Sequence, residues 1–368
     1  MVLSGSLLLA AAAAAPPLSS DDVLYDPPNQ WPGGGRAKVP VSAGEARTLS
    51  HALSDTVSVR DFGAFGDCTC YADVWQQHCC PHDDTAAFNL ALTTGVDVYV
   101  PAGNYRIDGT VELNGQTMIL AGRSTLARNN ISKATQPVVR LTGWFSSLRG
   151  SGAITTTNAA PRGVVNIGPH DFSTPHNVEW NRIEGVSVVG PGTSYSYATP
   201  GKAVDPVLNG SIGICIDSTE GLVGGATYQN SVHGVTIRHV DRGVFLGVQV
   251  NGNIISDLQM EAIGQIGYHL QGPNSENVIS GGFVAGHGGN TTVIKTTPSW
   301  DAKVSKYLGC WHNWFSGILN EPGPNSRPFD FDPYSYANTV IGCAPCPCCL
   351  LSCRCLLSCR ACCWYGVW

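Results

Sequence analysis

The sequence predicts an all-β fold, a parallel β-helix, and two observations support this prediction. The first is composition: of 368 residues, 43 are glycine and only 13% are charged. This balance favours strands and turns over helices, because helices prefer Leu, Glu, Lys and Ala and avoid glycine. The second is a segment of 23 to 24 residues, apolar at alternate positions, that recurs in the middle of the chain. Such a unit cannot bury its inner face alone, so neighbouring units must stack.

The first 56 residues precede the predicted fold. Residues 1–20, MVLSGSLLLAAAAAAPPLSS, contain an apolar stretch from Leu7 to Ala15 followed by small residues. This pattern predicts a signal peptide, with an Ala-rich disordered leader as the alternative, and it is too short to span a bilayer. Residues 21–56 carry Pro and Gly without a period and are predicted to be a linker or extended arm. We therefore expect a secreted protein, extracellular or in the cell wall, without a membrane span.

Charge argues against one class of partner. The chain has 21 Lys and Arg against 27 Asp and Glu, a net charge of -6, and no basic run that would neutralise a phosphate backbone. We therefore expect no nucleic-acid partner.

Local structure is predicted from Val57 onward. VSVRDFGAFGD predicts a short strand that runs into a glycine turn. DDTAAFNLAL predicts a helix in which Asp84 caps the first turn. Residues 96–122, VDVYVPAGNYRIDGTVELNGQTMILAG, predict strands with tight turns at Pro101–Asn104 and at Asn114-Gly115.

The order of these blocks resembles the N-terminal segment of the pectate lyase superfamily, in particular the group of rhamnogalacturonases, epimerase-like proteins and phage tailspikes. The resemblance runs from Val57 to Gly122. It implies a right-handed, single-stranded parallel β-helix of the pectin lyase type, with the helix at Asp83-Asp84 capping its bottom. It also implies that this pair of aspartates is part of the cap rather than a catalytic pair.

A loop of 15 residues, CTCYADVWQQHCCPH at 68–82, stands where the family normally has a short turn. A secreted location would allow its four cysteines to form two disulfides in any of three connectivities. Zinc, with His78 and His82 as further ligands, is the alternative, but C-x-C and adjacent cysteines fit the C-x2-C spacing of structural zinc sites poorly. We predict disulfides and no metal site. The cysteines are Cys68, Cys70, Cys79 and Cys80.

The repeated rungs place specific side chains on opposite faces of one sheet. Val235-Thr236-Ile237 aligns with Leu258-Gln259-Met260 at an offset of 23, and Gly243 aligns with Gly267 at an offset of 24. If the apolar members point inward, Thr236, Arg238, Gln259 and Glu261 point outward. An earlier rung is predicted at 181–190 and 210–218, interrupted by an insertion, and a later one begins at 337–342. The predicted β-helix domain therefore spans residues 57–342.

Cleavage of a polysaccharide requires particular groups. Hydrolysis needs two carboxyls about 5 to 10 Å apart. Elimination from a uronic acid needs a base and a cation. The rungs lack the Asn-Thr-Asp, Asp-Asp and Arg-Ile-Lys motifs of polygalacturonases, and His287 in a Gly-His-Gly sequence is interpreted as a turn residue. The candidate catalytic residues are Asp257, Glu261, Asp241, His239 and Arg238.

Some of these candidates have a structural interpretation as well. Arg238 and Glu261 lie one rung apart on the face where the superfamily usually binds sugars, and a surface ion pair worth about 0 to 1 kcal/mol is the alternative. Asp257 and Glu261 are four residues apart, so both carboxyls could face one groove. His239 and Asp241 are predicted to lie in a turn, where such a fold would carry function.

Candidate substrate-binding residues are Gln259, Trp311 and Trp314. Tryptophan rings stack on the apolar faces of pyranoses, although they also pack in cores. Three N-glycosylation sequons begin at Asn130, Asn209 and Asn290.

The C-terminal tail, residues 343–368, holds 9 of the 15 cysteines and no acidic residue. Its near-duplicate CLLSC units favour a gene-model artefact, with metal binding or a disulfide knot as alternatives.

The resemblance implies a carbohydrate-active protein, a hydrolase or a lyase that cleaves an extracellular polysaccharide. The alternatives are a non-catalytic glycan-binding or adhesive protein and a structural β-helix. No cofactor is expected for a hydrolase, and calcium is expected only for a lyase. The chain is expected to be a monomer or a homotrimer.

Overall fold

A computed structural model describes part of the chain, and the statements below concern those residues alone. The chain divides into two compact units, Met1–Thr56 and Val57–Trp368. In the first, β1 (Lys38–Pro40) pairs antiparallel with β2 (Ala46–Thr48). The described residues are 38–40, 46–48, 56–68, 82–128, 136–170, 177–191, 210–218, 225–286, 291–301, 305–321, 327–341 and 366–367.

The remaining elements are a 3-10 helix, one α-helix among the described residues, and short strands. The 3-10 helix spans Val59–Phe62 and the α-helix, α1, spans Thr85–Leu92. In chain order, the strands are β3 (Thr56–Ser58), β4 (Asp97–Val100), β5 (Gly103–Arg106), β6 (Val111–Asn114), β7 (Thr117–Leu120), β8 (Ser124–Arg128), β9 (Val139–Thr142), β10 (Ser147–Gly150), β11 (Ala153–Thr156), β12 (Val165–Ile167), β13 (Val178–Glu179), β14 (Arg182–Glu184), β15 (Ser187–Val189), β16 (Ile212–Ile216), β17 (Thr227–Tyr228), β18 (Ser231–His233), β19 (Thr236–Leu246), β20 (Val250–Asn251), β21 (Ile254–Ser256), β22 (Gln259–Gln271), β23 (Asn274–Ser275), β24 (Val278–Ser280), β25 (Phe283–Gly286), β26 (Thr292–Thr297), β27 (Ser299–Asp301), β28 (Lys306–Leu308), β29 (Cys310–Trp311), β30 (Trp314–Ser316), β31 (Leu319–Glu321), β32 (Arg327–Asp330), β33 (Thr339–Ile341) and β34 (Gly366–Val367).

These strands form four faces. The first face is an 11-stranded sheet in the order β3-β4-β7-β10-β14-β18-β21-β24-β30-β33-β34. The second and third faces share a 14-stranded sheet that includes the long strands β19 and β22. The second face contains β5, β8, β11, β15, the first parts of β19 and β22, β25 and β31. The third face contains β6, β9, β12, β16, the second parts of β19 and β22, β26 and β32. The fourth face is β13-β17-β20-β23-β29.

Successive rungs pair in parallel on every face, and β34 joins the end of the first face antiparallel to β33. The chain from β3 onward is therefore a single-stranded right-handed parallel β-helix, and the predicted fold class is confirmed. The predicted register is also observed: Thr236 pairs with Gln259 and Ile237 with Met260. A register shift between Val240 and Arg242 changes the offset from 23 to 24 residues. One extra residue in β22 at this bulge explains why the sequence shows both spacings.

Side chains alternate as predicted on the second face. Thr236 and Glu261 are half-buried and point outward, whereas Arg238 and Gln259 are exposed. The inward residues belong to one core that runs through the rungs. They include Val235, Ile237, Leu258 and Met260, all fully buried.

A ladder of buried asparagines lines the corner between the fourth and first faces. In each step, the Oδ1 of one asparagine accepts hydrogen bonds from the backbone N and Nδ2 of the asparagine in the preceding rung, as Asn277 does from Asn253 at 3.1 and 2.9 Å. These bonds satisfy polar groups that the tight turn would otherwise leave buried and unpaired. The ladder was not predicted from the sequence, although an asparagine directly precedes the first-face strand in each rung from β14 to β33. Its members are Asn181, Asn230, Asn253, Asn277, Asn313 and Asn338.

The predicted cap by Asp84 is wrong in its detail. Asp84 precedes α1 but makes no side-chain hydrogen bond to the helix, because its own backbone is already in the helical region (φ -83°, ψ -3°). Its carboxylate instead accepts from the backbone N of Phe65 at 2.7 Å. Asp83 takes the capping role, since its Oδ1 accepts from the Thr85 backbone N at 3.0 Å. Both aspartates are structural in this arrangement.

Several predictions fall on residues outside the described set. Among these are the signal peptide, the tail apart from β34, His78, and His287. Cys68 is buried and disulfide-bonded, but its partner lies outside the described residues, so the pairing within the loop stays a prediction. Among the described residues, no helix is long and apolar enough to cross a membrane. The remaining loop cysteines and the three sequons also lie outside the described residues. They are Cys70, Cys79, Cys80, Asn130, Asn209 and Asn290.

Candidate functional site

The ion pair predicted on the second face is present. Arg238 Nε lies 2.9 Å from Glu261 Oε2, and both side chains are close to half exposed. Gln259 points outward on the same strand as Glu261. This geometry matches the surface-pair interpretation, and exposure to water makes such a pair worth about 0 to 1 kcal/mol.

Asp257 lies in the turn between the first and second faces, with a left-handed backbone (φ 56°). Its carboxylate is 3.4 Å from Nδ1 of His233, a residue of β18 on the first face. Asp257 and Glu261 thus have different basic partners on different faces. A catalytic role for this pair stays a prediction.

His239 and Asp241 lie within β19 and not in a turn, so their predicted location is wrong. The strand continues through the corner between the second and third faces, and the backbone bends there at His239 (φ 57°) and at the register shift. Asp241 is buried, and its Oδ2 accepts from the Gly210 backbone N at 3.0 Å. Burial raises its pKa, against the opposing effects of that hydrogen bond and of Arg242. The Asp241 carboxyl therefore supports the corner through the bond to Gly210, and a catalytic role for Asp241 and His239 stays a prediction.

The two predicted tryptophans lie on different faces. Trp311 belongs to the fourth face and stacks on Tyr336, with ring centroids 6.1 Å apart. Trp314 belongs to the first face, where it points outward. They do not form one sugar platform.

The third face carries a pocket of about 530 Å³ that our sequence analysis did not predict. Its floor is formed by the outward residues of β16 and β19, including Cys215 and Phe245, and one end is closed by the hairpin of β27 and β28. Two aspartates, two arginines and a tryptophan line it: Asp217, Asp301, Arg162, Arg242 and Trp300. Charged side chains on an otherwise apolar concave surface are the usual composition of a ligand site.

Three of the charged groups surround the Cys215 thiol. Burial raises the pKa of Cys215, the charge of Asp217 raises it further, and the charges of Arg162 and Arg242 oppose this. The Asp217 carboxylate also lies against the next rung, because a Cβ added at Gly247 would come within 2.3 Å of its Oδ1. A larger residue at 247 would therefore displace this carboxylate from its position at the pocket floor.

Aromatic rings extend from the pocket. Trp300 faces Tyr307 across the β27–β28 hairpin, with centroids 5.1 Å apart, and Tyr307 contacts Tyr334 at 5.3 Å. All three are about half exposed. We call Trp300, Tyr307 and Tyr334 the aromatic platform; flat exposed rings of this kind suit the apolar faces of sugars.

His269 lies beside the floor of the pocket. Its ring contacts Phe245 edge-on at 5.2 Å, and its Nε2 lies 3.0 Å from Thr297 Oγ1. Burial, together with the charges of Arg242 and Lys295, lowers the pKa of His269 to about 4. The ring is therefore neutral near neutral pH.

Sequence reasoning missed most of this site because its members come from loops and strands far apart in the chain. Asp217 directly follows β16, and Tyr307 lies four residues before the predicted Trp311. The pairing of Trp300 with Tyr307 could have been found from the short polar turn between two aromatic strands. Among the described residues, no three His, Cys, Asp or Glu side chains are placed to hold a metal ion.

The fold and this pocket define a parallel β-helix with a concave, charged and aromatic site on one face. No family model and no curated protein matches the chain. Solved structures with a similar fold include the surface adhesin PfbA of Streptococcus pneumoniae, at 11% identity and a TM-score of 0.42, with 78% of each chain covered.

Two other structures are similar at the same level. The tailspike protein of E. coli bacteriophage HK620, solved with a pentasaccharide, has 11% identity and a TM-score of 0.46, and the match covers 83% of this chain and 50% of the tailspike. The family 28 exopolygalacturonase of Yersinia enterocolitica has 11% identity and a TM-score of 0.40, with 79% and 66% covered. At these values the likeness carries no information about the ligand or reaction of this chain.

Proposed function

We propose that the protein is a secreted carbohydrate-active protein that binds an acidic polysaccharide in the third-face pocket and cleaves it. The observation that carries the proposal is the combination of two arginines, two aspartates and an adjoining aromatic platform in one pocket. Each part has a chemical counterpart in a chain of uronic acids.

The arginines supply recognition of the substrate charge. A guanidinium binds a carboxylate through two parallel hydrogen bonds, and Arg162 and Arg242 line the same pocket. The aromatic platform then offers stacking surface for the sugar rings that extend beyond the pocket. The arginines would select a uronic acid by its charge, and the aromatic platform would hold the polysaccharide by stacking on its sugar rings.

The aspartates supply candidates for catalysis. In hydrolysis, one of Asp217 and Asp301 would protonate the glycosidic oxygen and the other would act on the anomeric carbon directly or through water. In elimination, an arginine would stabilise the uronate carboxylate while one aspartate takes the C5 proton, the C4–C5 double bond forms and the C4–O bond breaks, and the other aspartate gives a proton to the leaving oxygen. The pocket contains the side chains for either reaction.

The test uses the full chain with polygalacturonate and hexagalacturonate. New reducing ends without ultraviolet absorbance would identify a hydrolase, whereas reducing ends with the absorbance of an unsaturated product would identify a lyase. We expect Asp217→Asn to lower kcat by at least about a hundredfold and Arg242→Gln to raise KM. Arg182→Gln, on the first face, is the matched control and should change neither.

Two results would contradict parts of the proposal. Binding of hexagalacturonate that depends on Arg242 but gives no product would replace cleavage with a non-catalytic binding or adhesive function. If hexagalacturonate does not bind at millimolar concentration, the acidic ligand itself is wrong.

A further inference from the structure

A second cluster of exposed aromatic side chains lies near the N-terminal end of the β-helix. Trp144, Phe145 and Trp180 are 56%, 65% and 49% exposed. The Phe145 and Trp180 rings are nearly parallel, 12° apart, with centroids at 6.4 Å. Both residues occupy turn positions with positive φ, 63° and 61°, which the neighbouring rungs hold in place. A group of exposed apolar rings of this kind marks an interaction site on a protein surface.

These rings border a concave surface. A cavity of about 640 Å³ is lined by Trp144, Phe145 and His170, and it adjoins another of about 500 Å³ lined by Glu112 and α1. The two cavities share Asn114, Thr142 and His170, so together they form one depression, here called the N-terminal trough. Strand β12 separates the strands of the trough, β6 and β9, from β16 at the third-face pocket.

The polar groups of the trough are balanced in charge. Glu112 Oε1 lies 2.9 Å from Arg140 Nη1, and Glu112 Oε2 lies 2.6 Å from His170 Nδ1. Because an ionised carboxylate can only accept, His170 Nδ1 is a donor, and in the neutral ring Nε2 is left as an acceptor. The Asn114 amide adds both a donor and an acceptor.

We propose that the N-terminal trough is a second glycan-binding site, distinct from the third-face pocket, and that it takes a neutral oligosaccharide. Sugar hydroxyls both donate and accept, which matches the amide and imidazole groups of the trough. Ring faces of pyranoses match Trp144 and Phe145. The Glu112 carboxylate is paired with Arg140, so the charges within the trough offset each other.

The experiment is calorimetric titration of the full chain with cellohexaose, xylohexaose and mannohexaose, and separately with hexagalacturonate. We expect one of the neutral hexasaccharides to bind and the Trp144→Ala/Phe145→Ala double variant to lose at least about tenfold in affinity for it, about 1.4 kcal/mol. Hexagalacturonate binding should be unchanged. His170→Ala, an exposed position at the trough, should weaken neutral binding by several-fold and serves if the double variant does not fold.

Tyr99→Ala is the matched control, since Tyr99 is an exposed aromatic residue of β4 on the first face. The inference is overturned if none of the neutral hexasaccharides binds the natural chain at millimolar concentration. It is also overturned if the trough variants bind the neutral hexasaccharide as tightly as the natural chain does. An equal loss of affinity in Tyr99→Ala would also overturn it. Because hexagalacturonate reports on the pocket alone, failure of the pocket proposal is distinguishable from failure of this one.

Discussion

Arg238 Nε and Glu261 Oε2 are 2.9 Å apart on adjacent strands of the second face, and both side chains are almost half exposed. Residues one rung apart in sequence lie next to each other in a β-helix, and Arg238 and Glu261 occupy such paired positions of β19 and β22. The same stacking places charged side chains in ladders whether or not they act on a ligand.

The first prediction separates a structural ladder from a catalytic one. Glu261→Gln should lower the free energy of unfolding by less than about 1 kcal/mol, because the lost pair is solvated. Turnover of polygalacturonate, if present, should be unchanged. Glu184→Gln, which removes an exposed pair with Arg182 at 2.9 Å on the first face, is the control. Loss of turnover in Glu261→Gln alone would move the active site to the second face.

The asparagine ladder predicts a large effect from a small side chain. Asn277→Ala removes the acceptor of two hydrogen bonds from Asn253 and the donor to Val250 and Asn313, all at buried positions. Unpaired buried groups are costly, so the free energy of unfolding should fall by about 3 kcal/mol or more. Urea unfolding measures this, with the exposed Gln259→Ala as control. A loss as small as that of the control would show that water replaces the ladder bonds.

Two glycines with positive φ distinguish the cost of backbone strain from the cost of a steric clash when each is replaced by alanine. Gly234 has φ +61° and open space where a Cβ would lie. Gly282 has φ +89°, and its Cβ would stand 2.4 Å from the Leu258 carbonyl oxygen. Gly234→Ala should cost about 1 to 2 kcal/mol from the left-handed backbone alone. Gly282→Ala should cost several kcal/mol more, and equal unfolding midpoints for the two variants would contradict the close approach.

His269 predicts a specific dependence of stability on pH. Its pKa is lowered from 6.5 to about 4 by burial, so between these values the unfolded chain binds a proton that the folded chain does not. Stability should therefore be full above about pH 6.5 and fall as the pH drops toward about 4. The total loss is on the order of 3 kcal/mol.

The matched variant for this prediction is His269→Gln, which keeps a polar group near Thr297 and has no titration in the range. Its unfolding free energy should lose the part of the pH slope between about 6.5 and 4 that His269 supplies. If the pH slope of the unfolding free energy is the same in His269→Gln, then His269 takes up its proton at the same pH in the folded and the unfolded chain.

Much of the fold was predictable from residues close in sequence. Alternation of apolar residues in 231–246 and 254–271 predicted which side chains point inward, since strand side chains alternate with a period of two. The offset of 23 residues predicted the rung, and the blocks from Val57 to Gly122 resembled a known N-terminal segment. Asp84 shows the limit of such reasoning: its position before α1 was clear, but its hydrogen bond to Phe65 depended on a loop from elsewhere.

The sequence by itself determined the stacked rungs and their inner and outer faces, because period, glycine placement and apolar alternation are local properties of the chain. Only the tertiary structure decided which outer face carries the pocket. Arg242 lies within β19, whereas Arg162, Asp217 and Asp301 lie in or beside the connections between rungs, and the separations of the four residues in sequence follow no period. These side chains lie close together because the rungs stack in register while the loops between them differ in length. Their arrangement therefore depends on the whole β-helix and not on any local segment.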